Sequence, residues 1–389
     1  MKILQRYFAV SIAQAVAFVL LAFLALQAFV DLTSELPMVG KNGYSIAHAF
    51  LYVLILIPGN VYQVMPVAAL IGTIYTMAQF ASTSEFTIMR AASMSTSMAA
   101  WFLFRIGAVF VIITFVFGEL IAPRTAPLAD KLKLAARGTA VSSEFRSGLW
   151  TKDIVKSEGL KGEPTGARFF NVREARPDGQ LTDVKLYEFD NSFRLRSVIV
   201  AARATYQGGN VWRLLDVTET RFSNSTTLQP GVEANLQNNF IQETSAVATE
   251  KSASRELVSE ITPQILSVSA SDPQRMSAAE LAVYTAHLAE NKQETERYKI
   301  AFWKKLIDPM SIFVLMALAL PFAYLHTRSG GISLKIFIGI MIGVSFLLVN
   351  TLFSHLGLLS TWPAFLTAVA PSALFLLLAL GALWWVERH

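Results

Sequence analysis

A chain that bound nucleotide by the P-loop mechanism would carry a glycine, four residues, then Gly-Lys and a hydroxyl residue. Gly40-Lys41 lacks both the upstream glycine and the Ser or Thr, so it cannot cradle phosphates in that way. There is no His-Glu-x-x-His pair for zinc, and the five histidines, His48, His287, His326, His355 and His389, are scattered. Ser354-His355 sets a hydroxyl beside an imidazole. Acyl transfer also needs an orienting carboxylate and an oxyanion hole, and neither accompanies that pair. With 0 cysteines, thiolate nucleophiles, thiolate metal sites and disulfides are excluded. The chain reads as a non-enzyme that binds no cofactor of its own.

Composition points to lipid as the solvent for much of the chain. It is 53% hydrophobic and only 16% charged, against about 25% charged residues in an ordinary soluble domain. The formal charge of +5 would suit nucleic acid, but no Lys/Arg run interleaved with aromatics supports that reading. Six stretches, Tyr7–Val30, Ile46–Phe80, Ala99–Ala122, Phe302–Leu325, Ile332–Phe353 and Pro363–Val386, each reach the ~20 apolar residues that cross a bilayer. The uncharged run from Tyr7 is longer than the ~7–15 residues of a signal-peptide core and is taken as a retained span. The second stretch exceeds a simple crossing, so a break is expected at Pro58-Gly59 or Pro66. Arg105 and Glu119 sit near the ends of the third, where long side chains snorkel.

Between the third and fourth spans the period changes to alternation, as in Phe193-Arg194-Leu195-Arg196-Ser197-Val198, the pattern of a half-buried strand. Strands are predicted at Gly148–Lys156, Arg168–Glu174, Val184–Phe189, Phe193–Tyr206 and Val211–Asp216, and more weakly through Val217–Phe240. Turns are predicted at Pro177-Asp178-Gly179, Asp190-Asn191 and Gln207–Asn210. Ser277-Ala278-Ala279-Glu280 reads as a capping box opening a helix with a Leu281, Tyr284, Leu288 stripe. The expected fold is an α-helical polytopic membrane protein with six transmembrane helices and an all-β, jelly-roll-like domain inserted between helices 3 and 4. Its divisions are residues 1–123 (helices 1–3), 124–275 (β insert), 276–301 (connecting helix) and 302–389 (helices 4–6).

Lys2, Arg6, Arg90, Arg328, Lys335 and Arg388 fall on one side of these spans, while the opposite short loops offer only Lys41. The positive-inside rule makes the first side cytoplasmic, with both termini there and the insert periplasmic if the membrane is a bacterial inner membrane. On the cytoplasmic side, Phe86, Met89 and Met94 among polar residues read either as one face of a short amphipathic helix or as a solvated turn.

Further residues carry a family resemblance. Gly118-Glu119-Leu120-Ile121-Ala122-Pro123, Ser84-Glu85 with Met89, Gly148-Leu149-Trp150-Thr151-Lys152-Asp153 and Lys305-Leu306-Ile307-Asp308-Pro309-Met310-Ser311 together resemble the LptF/LptG family of lipopolysaccharide export permeases. The resemblance runs along essentially the whole chain. The Gly148–Asp153 stretch, Leu186–Phe189 and Val211–Leu214 look more like the LptG branch.

It implies an ABC-transporter permease subunit that extracts lipopolysaccharide from the inner membrane and passes it to a periplasmic bridge. The implied partners are an LptF-like permease, an LptB-like ATPase dimer holding the ATP and Mg, and an LptC-like membrane protein. On that reading residues 82–97 form a helix coupling to the ATPase, with Glu85, Phe86, Met89 and Arg90 as its contact residues. Lys41, Arg124, Lys131, Lys133, Lys304 and Lys305, near outer span ends, are the candidates for anionic lipid headgroups. A non-transporting mechanotransmission permease and a membrane-anchored assembly scaffold are the alternatives.

Overall fold

The structure, a computed structural model, describes residues 2–91, 94–137, 148–175, 180–225, 244–263, 265–266, 272–324, 331–360 and 362–388. The chain divides into a helical unit, residues 1–137 with 272–389, and a second unit, residues 138–271, that holds the sheet.

Among the described residues of the helical unit, six spans are long and apolar enough to cross a membrane. The first is α1 (Lys2–Glu35). The second, α2 (Ile46–Ser82), starts on a capping box between Ser45 and His48 and runs unbroken through Pro58 and Pro66. The helix is not interrupted at either proline, and from Met65 to Phe80, around Pro66, nearly every residue is buried, which makes α2 the central helix. Surrounding helices can hold a proline-containing turn helical in a membrane. Close packing there depends on glycine. A Cβ on Gly72 would lie 2.7 Å from the Val16 backbone, and Cβ atoms on Gly339 and Gly343 would lie 2.9 and 2.8 Å from Ile74 and Val67, which is the small-residue logic of membrane helix contacts. Buried Thr73, Thr76 and Thr114 turn their hydroxyls back to carbonyls four residues earlier, so none is left unpaired in the apolar interior.

A short helix α3 (Glu85–Ala91) follows α2. The third span comprises α4 (Thr96–Phe115), a π-turn (Val116–Ile121) and α5 (Ala122–Arg137). Residues 124–137, expected in the insert, therefore continue this helix. The connecting segment is two helices, α6 (Ala278–Glu290), with the predicted capping box at Ser277 and Glu280, and α7 (Glu296–Ile307), which runs straight into the fourth span. Pro309 and Pro321 sit in 3-10 turns on either side of α8 (Ser311–Ala319). The last two spans are α9 (Ile332–Leu359) and α10 (Ala364–Arg388). Trp362 and Phe365 at one end of α10 and Trp384 and Trp385 at the other are all exposed. About 20 residues, or roughly 30 Å of helix, separate the pairs, as aromatic belts at two membrane surfaces require.

The second unit is one six-stranded antiparallel sheet among the described residues, ordered as in sequence: β1 (Leu149–Glu158), β2 (Lys161–Ala175), β3 (Leu181–Asp190), β4 (Leu195–Gly208), β5 (Val211–Ser225) and β6 (Thr244–Val258). The turns at Asp190-Asn191 and Gln207–Asn210 are present, with Gly208, Gly209 and Asn210 all at positive φ; Pro177-Asp178-Gly179 lies outside the described residues. Phe170, Leu186 and Ile199 are cross-strand neighbours on one face and are essentially unexposed. Trp212 is fully buried, and its Nε1 donates to Ile261 O at 2.7 Å.

Along the same face runs a polar row, Asp153, Arg168, Glu188 and Ser197. Arg168 bridges Glu188 at 2.7 Å and Asp153 at 3.5 Å and donates to Val258 O at 3.1 Å. Lys156 pairs with Glu260, and Ser259 Oγ donates to Asp153 at 2.6 Å. The chain leaving β6 is thus fastened back onto β1 and β2, and the sheet curls.

Candidate functional site

Three groups of side chains in the helical unit are candidates. The first surrounds α3. Glu85 opens this helix, where the dipole favours a carboxylate, but both its oxygens are engaged: Oε2 accepts from Tyr7 Oη at 2.9 Å and Oε1 from Thr83 Oγ1 at 3.0 Å. Phe86 is 2% exposed and sits edge-on to Tyr324, with ring centroids 5.0 Å apart. Tyr324 Oη donates to Thr96 Oγ1 at 2.8 Å, and the Arg90 guanidinium lies 4.9 Å from the Tyr324 ring centroid. Met89 is also buried.

The structure brings the four predicted residues together, but it turns Phe86 and Met89 inward as anchors. The surface α3 offers is Thr87, Ile88, Arg90 and Ala91, with Ile88 66% exposed. The helix is also shorter than the expected 82–97. Sequence reasoning missed Tyr7, Thr83, Thr96 and Tyr324, which lie outside the loop or carry no charge to signal them.

The second group lies at the opposite end of the same unit. Lys41, Arg124 and Lys131 are exposed there. Lys133 is not available in the same way: it pairs with Glu35 at 2.6 Å and lies 4.8 Å from the Tyr52 ring centroid. Lys304 is part-buried and donates to Ser354 Oγ at 2.8 Å. Lys305 is only 4% exposed. The six predicted cations thus separate into three that face outward and three held by the protein. On the cytoplasm-assigned side, Lys335 is buried in the first turns of α9 rather than standing in a loop, and Arg328 and His326 fall outside the described residues.

The third group was not foreseen. Tyr62 of α2 packs against Gly118 so closely that a Cβ there would lie 2.3 Å from the ring. Lys305 Nζ lies 4.5 Å from the Tyr62 ring centroid and donates to Gly118 O at 3.3 Å. Glu119 does not snorkel: its Oε2 accepts from Ala278 N at 2.8 Å. Glu119 in an otherwise apolar run was the available signal, since an ionisable residue inside a span usually has a partner. Arg105, by contrast, is exposed as expected.

Among the described residues the fold is that of a multi-pass membrane protein, with six spans and a β domain inserted after the third. Residues 6–387 match the family described as lipopolysaccharide export system permease LptF/LptG, and the chain belongs to that family. It is 27% identical over 382 residues to the lipopolysaccharide export system permease protein LptG of Escherichia coli (strain K12), covering 98% of both chains. It is also 27% identical over 384 residues to the LptG protein of Haemophilus influenzae, covering 98% of this chain and 97% of that one. Family membership makes it an inner-membrane transporter component of the LptG type.

Proposed function

We propose that this chain is the LptG-type half of a lipopolysaccharide export permease. It pairs with an LptF-like permease and an LptC-like membrane protein and is driven by an LptB-like ATPase dimer that holds the ATP and Mg. The inserted domain faces the periplasm and receives lipid on its way to the outer membrane, and both termini with α3 face the cytoplasm. Moving a multi-acyl lipid costs about 0.8 kcal/mol for each CH₂ exposed to water, so energy must be supplied from outside a chain that has no nucleotide motif.

The observation that carries this reading is the seating of α3. It is locked onto α1 through Tyr7 and onto the end of the fourth span through Tyr324, with its outer face free. A short helix held at both flanks can pass a push to two spans at once. Family membership disfavours a mechanotransmission role and a scaffold. Affinity purification of the full-length chain from native membranes tests the reading. A P-loop ATPase and a second six-span protein should co-purify with lipopolysaccharide, and their absence would overturn it. Orientation is tested by impermeant-thiol labelling of cysteines placed at Ser95 and Gly208 in intact spheroplasts; labelling of the first but not the second would reverse it.

A further inference from the structure

The third span carries a π-turn at Val116–Ile121, and its hydrogen bonding is unusual. Ala122 N donates to Phe117 O, five residues back, so it is withdrawn from Gly118 O, its partner in a regular α-helix. The next residue, Pro123, has no N–H to give. The Gly118 carbonyl is thereby left without a backbone donor from either position. Lys305 Nζ, from a helix 187 residues further on, supplies one at 3.3 Å. Lys305 thus makes good the donor that the π-turn withdraws from this carbonyl.

Single π-turns inside α-helices recur at functional positions, and each stores one extra residue. Returning this one to α geometry would give Gly118 O back to Ala122 N. It would also advance everything after it by one residue, about 100° of rotation and about 1.5 Å of rise. The start of α5 borders open space. A cleft of about 220 Å³ is lined by Ala122, Thr125 and Ala126 of α5 together with Gly59 and Asn60 of α2. The contacts that would change are defined. Lys133, now bonded to Glu35, would give its place to Leu132, and Ala129, fully buried, would give its place to Leu128, now 57% exposed.

We propose that the π-turn is a two-register switch in the third span and that Lys305 is the positioning residue that holds the register seen here. Through it the state of the fourth span sets the rotation of α5, the helix whose chain continues into the inserted domain. This goes beyond the export reading and does not depend on the cargo.

The chain has 0 cysteines, so engineered pairs report without background. In full-length protein in native membranes, Glu35→Cys with Lys133→Cys should crosslink at least tenfold more than Glu35→Cys with Leu132→Cys. In a Lys305→Met background that preference should reverse. Deleting Val116 removes the extra residue while leaving Ala122 four residues after Gly118. This deletion should keep the 35–133 crosslink and make it insensitive to Lys305→Met. If inserted Lys305→Met protein retains the 35–133 preference, the proposal is overturned. If Lys305→Met fails to insert, the Val116 deletion should restore insertion, and failure to do so would equally overturn it.

Discussion

Tyr7 Oη donates to Glu85 Oε2 over 2.9 Å, joining the second turn of α1 to the first residue of α3 across 78 residues of sequence. The Tyr7 ring also stacks on Phe80, with centroids 5.7 Å apart. Tyr7→Phe therefore removes the hydroxyl and keeps the packing. It should leave ATPase association intact but reduce lipid released per ATP hydrolysed, while Glu85→Ala or Glu85→Lys should also weaken association. Hydrolysis, co-purification and lipid release from proteoliposomes separate these effects; normal values for all three variants would remove α3 from the coupling path.

Because Phe86 is an internal anchor and Ile88 is exposed, the two residues should fail differently. Phe86→Ala leaves a cavity between α3 and Tyr324 and should cost about 3 kcal/mol of stability. Ile88→Asp should leave thermal stability unchanged and weaken the ATPase complex at least tenfold, about 1.4 kcal/mol or more. Unchanged affinity with Ile88→Asp would place the contact elsewhere.

Exposure divides the six cations. Removing Lys41, Arg124 or Lys131 should each reduce crosslinking to lipopolysaccharide or to anionic phospholipid, by about 1 kcal/mol apiece. Lys304→Ala should instead act through its lost bond to Ser354, lowering stability and leaving crosslinking yield per folded molecule unchanged. A photo-crosslinking series on solubilised protein decides it, and equal loss at all six positions would contradict the division.

Arg168 neutralises two carboxylates inside the curled sheet. Removing it leaves buried Asp153 and half-buried Glu188 without their cation, so Arg168→Leu should destabilise the β unit by about 3 kcal/mol. Limited proteolysis of the full chain, read for cuts within residues 149–258, is the assay, and wild-type resistance would show the network to be dispensable.

Burial holds the Asp153 carboxyl above its ordinary range, with the Ser259 hydroxyl and the Arg168 guanidinium opposing that rise. A carboxyl raised on folding binds more protons in the folded state. Its contribution therefore falls as pH climbs from about 4, the ordinary carboxylate value, through the raised value, and is level above it. Asp153→Asn should flatten that segment of the stability curve. A denaturation series on the full chain, scored by cleavage of the insert, should show the two curves diverging only in this window. Parallel curves would assign the slope to another group.

The spans, the change of period at the insert and the α6 capping box were all legible in the sequence because each is set by a local encounter with solvent. About 20 apolar residues must lie in lipid, alternation must follow a half-buried sheet, and a Ser three residues before a Glu closes a helix end. β6 was not legible, since Thr244–Val258 carries Glu250, Lys251, Arg255 and several serines with no clean alternation, and its place is fixed by pairing with β5. Nor could the sequence tell which lysines face water. Lys304 and Lys305 are neighbours in one helix, yet one reaches Ser354 and the other the Gly118 carbonyl. The continuity of α2 through two prolines, the inward turn of Phe86 and the donor for Gly118 are likewise properties of pairs far apart in the chain. A one-dimensional pattern records what each residue prefers as a solvent; only the packed structure decides which partner takes the place of that solvent.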